Sequence, residues 1–181
     1  MVFDTQVQKI YHARLMSARI VIDTLDFVRN AGTYHGKITP DEFVRLKDYL
    51  SDSQGELEYT ISGTLDKIGK PIIQVTIKGT INLHCQRCLG GLIHVLDLQT
   101  AILLVKNESE LSRLDENESV DGILAASDMD VLVLIEDEII LSLPILPRHR
   151  EDECSAWELT DNNTIGKKRP FTMLAKLKKL H

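Results

Sequence analysis

Cysteine is scarce in this chain. Three among 181 residues is an odd number and too few to staple a disulfide scaffold, so a reducing cytoplasm is the default compartment. Aromatic residues make up only 5%. The apolar runs are a handful of residues long, against the roughly 20 that a membrane helix needs, so no membrane contact is expected. Met1 to Lys9 holds no basic stretch leading into an apolar one, and no secretory signal is expected. Also missing are a glycine-rich phosphate loop, a dinucleotide fingerprint and a nucleophile elbow. The sequence thus offers no enzymatic signature and no small-molecule substrate.

What is present is an ordinary globular composition, 43% hydrophobic and 27% charged, in a length that fits one domain with extensions. The net charge of -6 conceals a segregation. Lys106 to Asp161 carries sixteen acids against four bases, a net of -12, while Met1 to Val105 is balanced at eleven of each. The last twenty residues hold Lys167, Lys168, Arg169, Lys176, Lys178 and Lys179 and no acid. These six are the candidate contacts to RNA or another polyanionic partner. An acidic body argues against a broad nucleic-acid footprint, and the tail lacks the interleaved aromatics that stack on bases.

Along the chain, Val7, Ile10, Tyr11, Arg14, Leu15 and Ala18 suggest a helical face, whereas Arg19 to Ile22 can equally be a strand. Asn30 to Gly36 reads as a loop. Thr39, Pro40 and Glu42 make an N-cap, a first-turn proline and a capping box, so a helix is predicted to about residue 51 with Phe43, Leu46, Tyr49 and Leu50 inward. Strict alternation follows in Glu56 to Asp66 and in Ile72 to Cys85, the pattern of antiparallel strands with one wet face. Leu92 to Val105, after Gly90-Gly91, is apolar on both faces and reads as a central or bulged strand. Asn107 to Gly122 reads as a mobile acidic loop. Ser127 and Asp130 suggest a second capping box before a helix from Met129 to Leu143, ended by Pro144 and Pro147. On that helix Glu136, Asp137 and Glu138 fall beside a Leu132, Ile135, Ile139, Leu143 core stripe and read as its solvent side. Pro170 opens a short terminal helix with Phe171, Leu174 and Leu177 on one face.

The chemistry concentrates in Cys85-Gln86-Arg87-Cys88-Leu89, a tight turn between two strands. Two thiols three positions apart can bind a soft cation, form a redox pair, or pack as small hydrophobes. A redox pair of the thioredoxin kind opens a helix in a βαβ unit, and this one sits in a hairpin. Zinc needs four ligands; Cys85 and Cys88 supply two, and His149 with Cys154 beyond the proline corner are the candidates for the others. His84 and His94 are weaker alternatives. The alternative is that Cys85 and Cys88 are a reduced pair, unrelated to His149 and Cys154. The charged run around His149 reads as a solvated loop before it reads as a general base.

Three segments together resemble a known family. They are the C-x-R-C-L knuckle, Glu136 to Pro144 running on to Pro147 and His149, and Arg169-Pro170-Phe171-Thr172-Met173-Leu174-Ala175-Lys176-Leu177-Lys178. With the Thr39-Pro40 helix start they are similar to the YceD family, the large ribosomal RNA subunit accumulation proteins of bacteria and plastids. The resemblance implies a cytoplasmic, non-enzymatic ribosome-biogenesis factor supporting synthesis, processing or stability of 23S rRNA. Its partner would be large-subunit rRNA or its precursor, met directly or through a ribosomal or processing protein. Many relatives carry a second C-x-x-C after the helix, where this chain keeps Cys154 with His149 nearby. The other reading is a zinc-binding protein-interaction adaptor with only an indirect effect on rRNA.

The expected architecture is α+β. Residues 1–154 form a single domain in which an antiparallel sheet is covered by two or three helices. A linker and basic C-terminal helix occupy 155–181.

Overall fold

A computed structural model describes residues 10–12, 19–115, 121–150 and 153–154. In chain order these form β1 (Ile10–His12), β2 (Val21–Ile22), α1 (Thr24–Arg29), β3 (Thr33–Ile38), β4 (Leu57–Leu65), β5 (Pro71–His84), β6 (Gly91–Val105), α2 (Glu108–Asp115), β7 (Gly122–Leu124), β8 (Met129–Asp130) and α3 (Val131–Ser142). The fold is α+β. One sheet runs in the order β1-β3-β4-β5-β6-β7, and β2 pairs separately with β8.

The three long strands follow from the alternation. Leu57, Tyr59 and Ile61 on β4 and Ile73, Val75, Ile77, Ile81 and Leu83 on β5 are buried on one face, while Glu58, Thr60, Gln74, Lys78 and Thr80 face water. The β4–β5 turn closes on Asp66, whose carboxylate accepts the amides of Ile68 and Lys70, both at 2.8 Å. The antiparallel sheet expected over 56–105 is present as β4-β5-β6; outside it the sheet is mixed, β1 pairing with β3, and β6 with β7, in parallel. Parallel neighbours need a crossover, and the segments carrying α1 and α2 supply them.

Several local expectations are also corrected. Asn30 to Gly36 is a loop only as far as Gly32; β3 begins at Thr33 and pairs with β4 from Thr33↔Ser62 to Ile38↔Leu57. Ile10 and Tyr11 lie in a strand, not on a helical face. Glu108–Asp115, expected in the acidic loop, is helical, and Leu111 and Leu114 reach over the backbone of Gly122. The strand β6 has no bulge, its register with β5 running unbroken from Ile72↔Leu103 to His84↔Gly91, and it is next to last in the sheet. The cap of α3 is Asp130 alone, accepting the Leu132 amide at 2.9 Å and that of Val133 at 3.5 Å.

The predicted helix over 40–51 is instead two 3₁₀ turns, Pro40–Glu42 and Leu46–Tyr49, broken at an extended Phe43. The capping box is present. What stops propagation is Glu136 of α3, whose carboxylate takes the amides of Arg45 at 2.6 Å and Leu46 at 2.9 Å. In an α-helix those amides would bond to the carbonyls four residues back. Phe43, Leu46 and Leu50 stay buried as expected, but Tyr49 is exposed. Glu136 itself is buried, which overturns its placement on the solvent side of α3.

The core lies between the inner face of the sheet, α3 and the 3₁₀ turns, with α1 packed across β4 at the other end. At that end the fit is close. A Cβ on Gly63 of β4 would sit 2.7 Å from Val28 Cα and 2.9 Å from Phe27 O. Both are backbone atoms of α1 that cannot rotate aside. Gly63→Ala is therefore expected to cost about 2 kcal/mol and lower Tm by roughly 5 °C, measured by thermal unfolding; an unchanged Tm would mean α1 is not seated there.

Among the described residues, no helix is long and apolar enough to cross a membrane.

Candidate metal centre

Strand β5 ends at His84, and the chain turns through Cys85 to Gly90 before β6. The Cys85 amide donates to Gly90 O at 2.9 Å and the Leu89 amide to Cys85 O at 2.8 Å. The turn puts Leu89 in the left-handed region, φ 60°. Its geometry aims the Cys85 and Cys88 sulfurs to one side.

The other two groups arrive on the strap that follows α3. Pro144 and Pro147 prevent the helix from continuing, and the strap is fastened to the knuckle through its carbonyls. The Gln86 amide donates to Pro147 O at 2.8 Å, and the Arg87 guanidinium donates to Arg150 O at 2.9 Å. This delivers His149 and Cys154 to the thiols.

Cys88 Sγ lies 3.4 Å from His149 Nδ1, and Cys85 Sγ lies 4.0 Å from Cys154 Sγ. The four ligand atoms all fall within 4.8 Å of one another. A tetrahedral zinc with bonds of ~2.3 Å to sulfur and ~2.0 Å to nitrogen implies edges of about 3.8 Å between sulfurs and about 3.5 Å between sulfur and nitrogen. The 4.0 Å and 3.4 Å separations are close to these edges, so the cluster could hold a metal ion. None of the three cysteines is in a disulfide.

The surroundings suit ligation. His149 Nε2 lies 2.9 Å from Gly91 O; a carbonyl can only accept, so the proton sits on Nε2 and the Nδ1 lone pair faces the cluster. That carbonyl and the Cys85 sulfur push the His149 pKa up. Burial raises the Cys85 thiol, but the amides of Cys88, His149 and Arg87 outweigh it and bring it down to about 5. The His149 amide is 3.4 Å from that sulfur. The Gly90 amide pulls Cys88 down, yet burial and the thiols of Cys154 and Cys85 leave it raised.

His84 and His94 are not brought into this cluster. His84 Nδ1 instead lies 3.4 Å from Leu89 O. Lys167, Lys168, Arg169, Lys176, Lys178 and Lys179 lie outside the described residues. Reading the sequence for ligands missed the fastening groups. The arginine inside C-x-R-C was the available signal, since a cation between two candidate ligands needs its own acceptor.

A family model described as Large ribosomal RNA subunit accumulation protein YceD matches residues 73–180. The chain is similar to the Large ribosomal RNA subunit accumulation protein YceD of Haemophilus influenzae, 24% identical over 165 residues that cover 88% of this chain and 95% of that protein. No solved structure matches.

Proposed function

Because this chain belongs to the YceD family of large ribosomal RNA subunit accumulation proteins, we propose that it supports synthesis, processing or stability of 23S rRNA by binding, without catalysing a reaction. The observation that carries this is the span of the family match, residues 73–180, which takes in the knuckle, α3, the strap and the basic segment. The partner is large-subunit rRNA or its precursor, reached directly or through a ribosomal or processing protein, and the site of action is the cytoplasm.

In this reading the body, residues 1–154, presents its acidic side to a basic protein while the linker and basic helix of 155–181 touch RNA through Lys167, Lys168, Arg169, Lys176, Lys178 and Lys179. Zinc held by Cys85, Cys88, His149 and Cys154 is structural. It ties the strap to the β5–β6 hairpin and so fixes where the basic segment departs. A second reading, a zinc-binding interaction adaptor whose effect on rRNA is indirect, is favoured by the net charge of -12 over Lys106 to Asp161.

Crosslinking in cells followed by identification of RNA and proteins tests the proposal. Precursor rRNA is expected among the partners of the full chain, and deletion of Lys167 to His181 is expected to reduce its recovery severalfold, since six phosphate contacts lend binding a steep electrostatic term. Equal recovery by both forms would remove the tail from the mechanism; recovery of proteins without RNA would select the adaptor.

A further inference from the structure

The strand β6 is much longer than the neighbour on its outer side. Inward it pairs with β5 from Gly91 to Leu103, but outward β7 covers only Leu103 to Val105. Backbone direction alternates along an antiparallel ladder, and three bonds fix the phase. Gly91 O receives His149 Nε2, the Leu103 amide donates to Asp121 O at 2.9 Å, and Val105 O receives the Ala125 amide at 2.8 Å. All three turn away from β5. The same parity turns the amides and carbonyls of Ile93, Val95, Asp97, Gln99 and Ala101 outward, and no strand among the described residues lies beside them. Among the described residues the result is an open edge, bounded by the metal centre at one end and by β7 at the other.

An uncovered edge of this length is a template for another strand, and proteins normally blunt such edges with lysine, proline or a bulge. This one carries none of these. Ile93 and Val95 are 72% and 68% exposed beside it. Asp97, 3.3 Å from Lys78, is the one charged side chain between Gly91 and Val105. At the β7 end, burial together with Asp121 and Asp137 pushes the Glu138 pKa up, although the Thr100 hydroxyl bonds to its carboxylate. Asp121, whose carbonyl takes the Leu103 amide, puts a carboxylate at this end, and Lys106 to Asp161 carries a net charge of -12, so a cationic neighbour is favoured. A second copy is the poorer occupant, because pairing two β6 edges over the whole slot sets Asp97 opposite Asp97.

We propose that the edge from Ile93 to Ala101 is a strand-addition site for an extended lysine- and arginine-rich segment of a protein partner. Main-chain bonds supply affinity in this mode and alternate side chains supply selectivity. Here apolar residues would lie along Ile93 and Val95 and cations near Asp121 and Glu138. The inference deepens the binding function and rests on it.

The test uses the full chain with two synthetic ten-residue peptides, alternating Lys-Val and alternating Glu-Val, and an oligouridine. Binding is followed by fluorescence anisotropy and residue-resolved amide exchange. Expected is binding of the Lys-Val peptide alone, with new protection at Ile93, Val95, Asp97, Gln99 and Ala101 and none added at the even positions. Val95→Pro removes an outward amide without touching the β5 ladder and is expected to weaken binding at least tenfold. The double variant Ile93→Lys, Val95→Lys serves the same purpose if the proline disturbs folding. The proposal is overturned by an absence of Lys-Val binding, by affinity unchanged in both variants, or by odd-numbered amides already protected in the peptide-free chain. A concentration-dependent dimer through β6, or oligouridine bound at this edge, overturns it as well. Any of these would leave the rRNA reading standing, since crosslinking tests that separately.

Discussion

Glu136→Ala is expected to remove about 4 kcal/mol of stability, a fall in Tm on the order of 10 °C. The carboxylate is buried and takes two main-chain amides, Arg45 at 2.6 Å and Leu46 at 2.9 Å, on one oxygen. The other oxygen accepts from Arg45 Nε at 3.1 Å, and Arg45 also reaches Asp137 at 2.6 Å. Alanine takes the acceptor from both amides, and that of Leu46 belongs to a fully buried residue. Glutamine can keep its carbonyl on the amides and loses chiefly the guanidinium, so Glu136→Gln is expected to cost only about 1–2 kcal/mol. Equal losses in the two variants would mean that charge, not the backbone acceptor, matters.

The acid dependence has a definite sign. Burial raises the Glu136 carboxyl, but the Leu46 and Arg45 amides and the Arg45 side chain outweigh it and hold the group below its ordinary 4.5. A carboxylate depressed on folding contributes stability that is complete above its unfolded pKa and is lost as pH falls through the folded one. The gap in stability between the wild type and Glu136→Gln should therefore be flat above about pH 5 and close below pH 4. Denaturant melts across that range measure it.

The second large effect concerns the metal. Protein purified without chelator is expected to carry one zinc per chain, and Cys85→Ser none. Structural zinc in small domains contributes on the order of 10 kcal/mol at neutral pH. Stripping it is expected to leave the strap held to the hairpin by hydrogen bonds such as those of Gln86 and Arg87, so Tm should fall by more than 10 °C and return when zinc is restored. Because the ligands must be deprotonated, affinity should fall steadily as pH is lowered. Zinc content near zero in both forms would leave the cluster as three packed thiols and a histidine.

The long strands were legible because their alternation matches the pleat over many residues, and the C-x-R-C turn was legible because two close strands force a tight connection. His149 and Cys154 could be named from ligand counting alone; their arrival at Cys85 and Cys88 depends on bonds from Gln86 and Arg87 to the strap that no periodicity encodes. The 40–51 segment shows the opposite failure. Its capping box and apolar spacing are sound local signals, but a carboxylate some ninety residues away, joined to Arg45 and Leu46, captures the amides that a helix would use. The parallel margins were hidden for a similar reason. Strands as short as Ile10–His12 and Gly122–Leu124 carry too few residues to show a period, and β6 is buried on both faces only from Ile102 to Val105, where β7 and α2 adjoin it.

The most direct test of the account is the ratio of 23S to 16S rRNA in cells lacking the protein. The ratio is predicted to fall on depletion and to be restored by the wild-type chain but not by Cys85→Ser. A ratio that does not move on depletion would contradict the binding function, and turnover of 23S precursor by the purified protein alone would contradict its non-catalytic character.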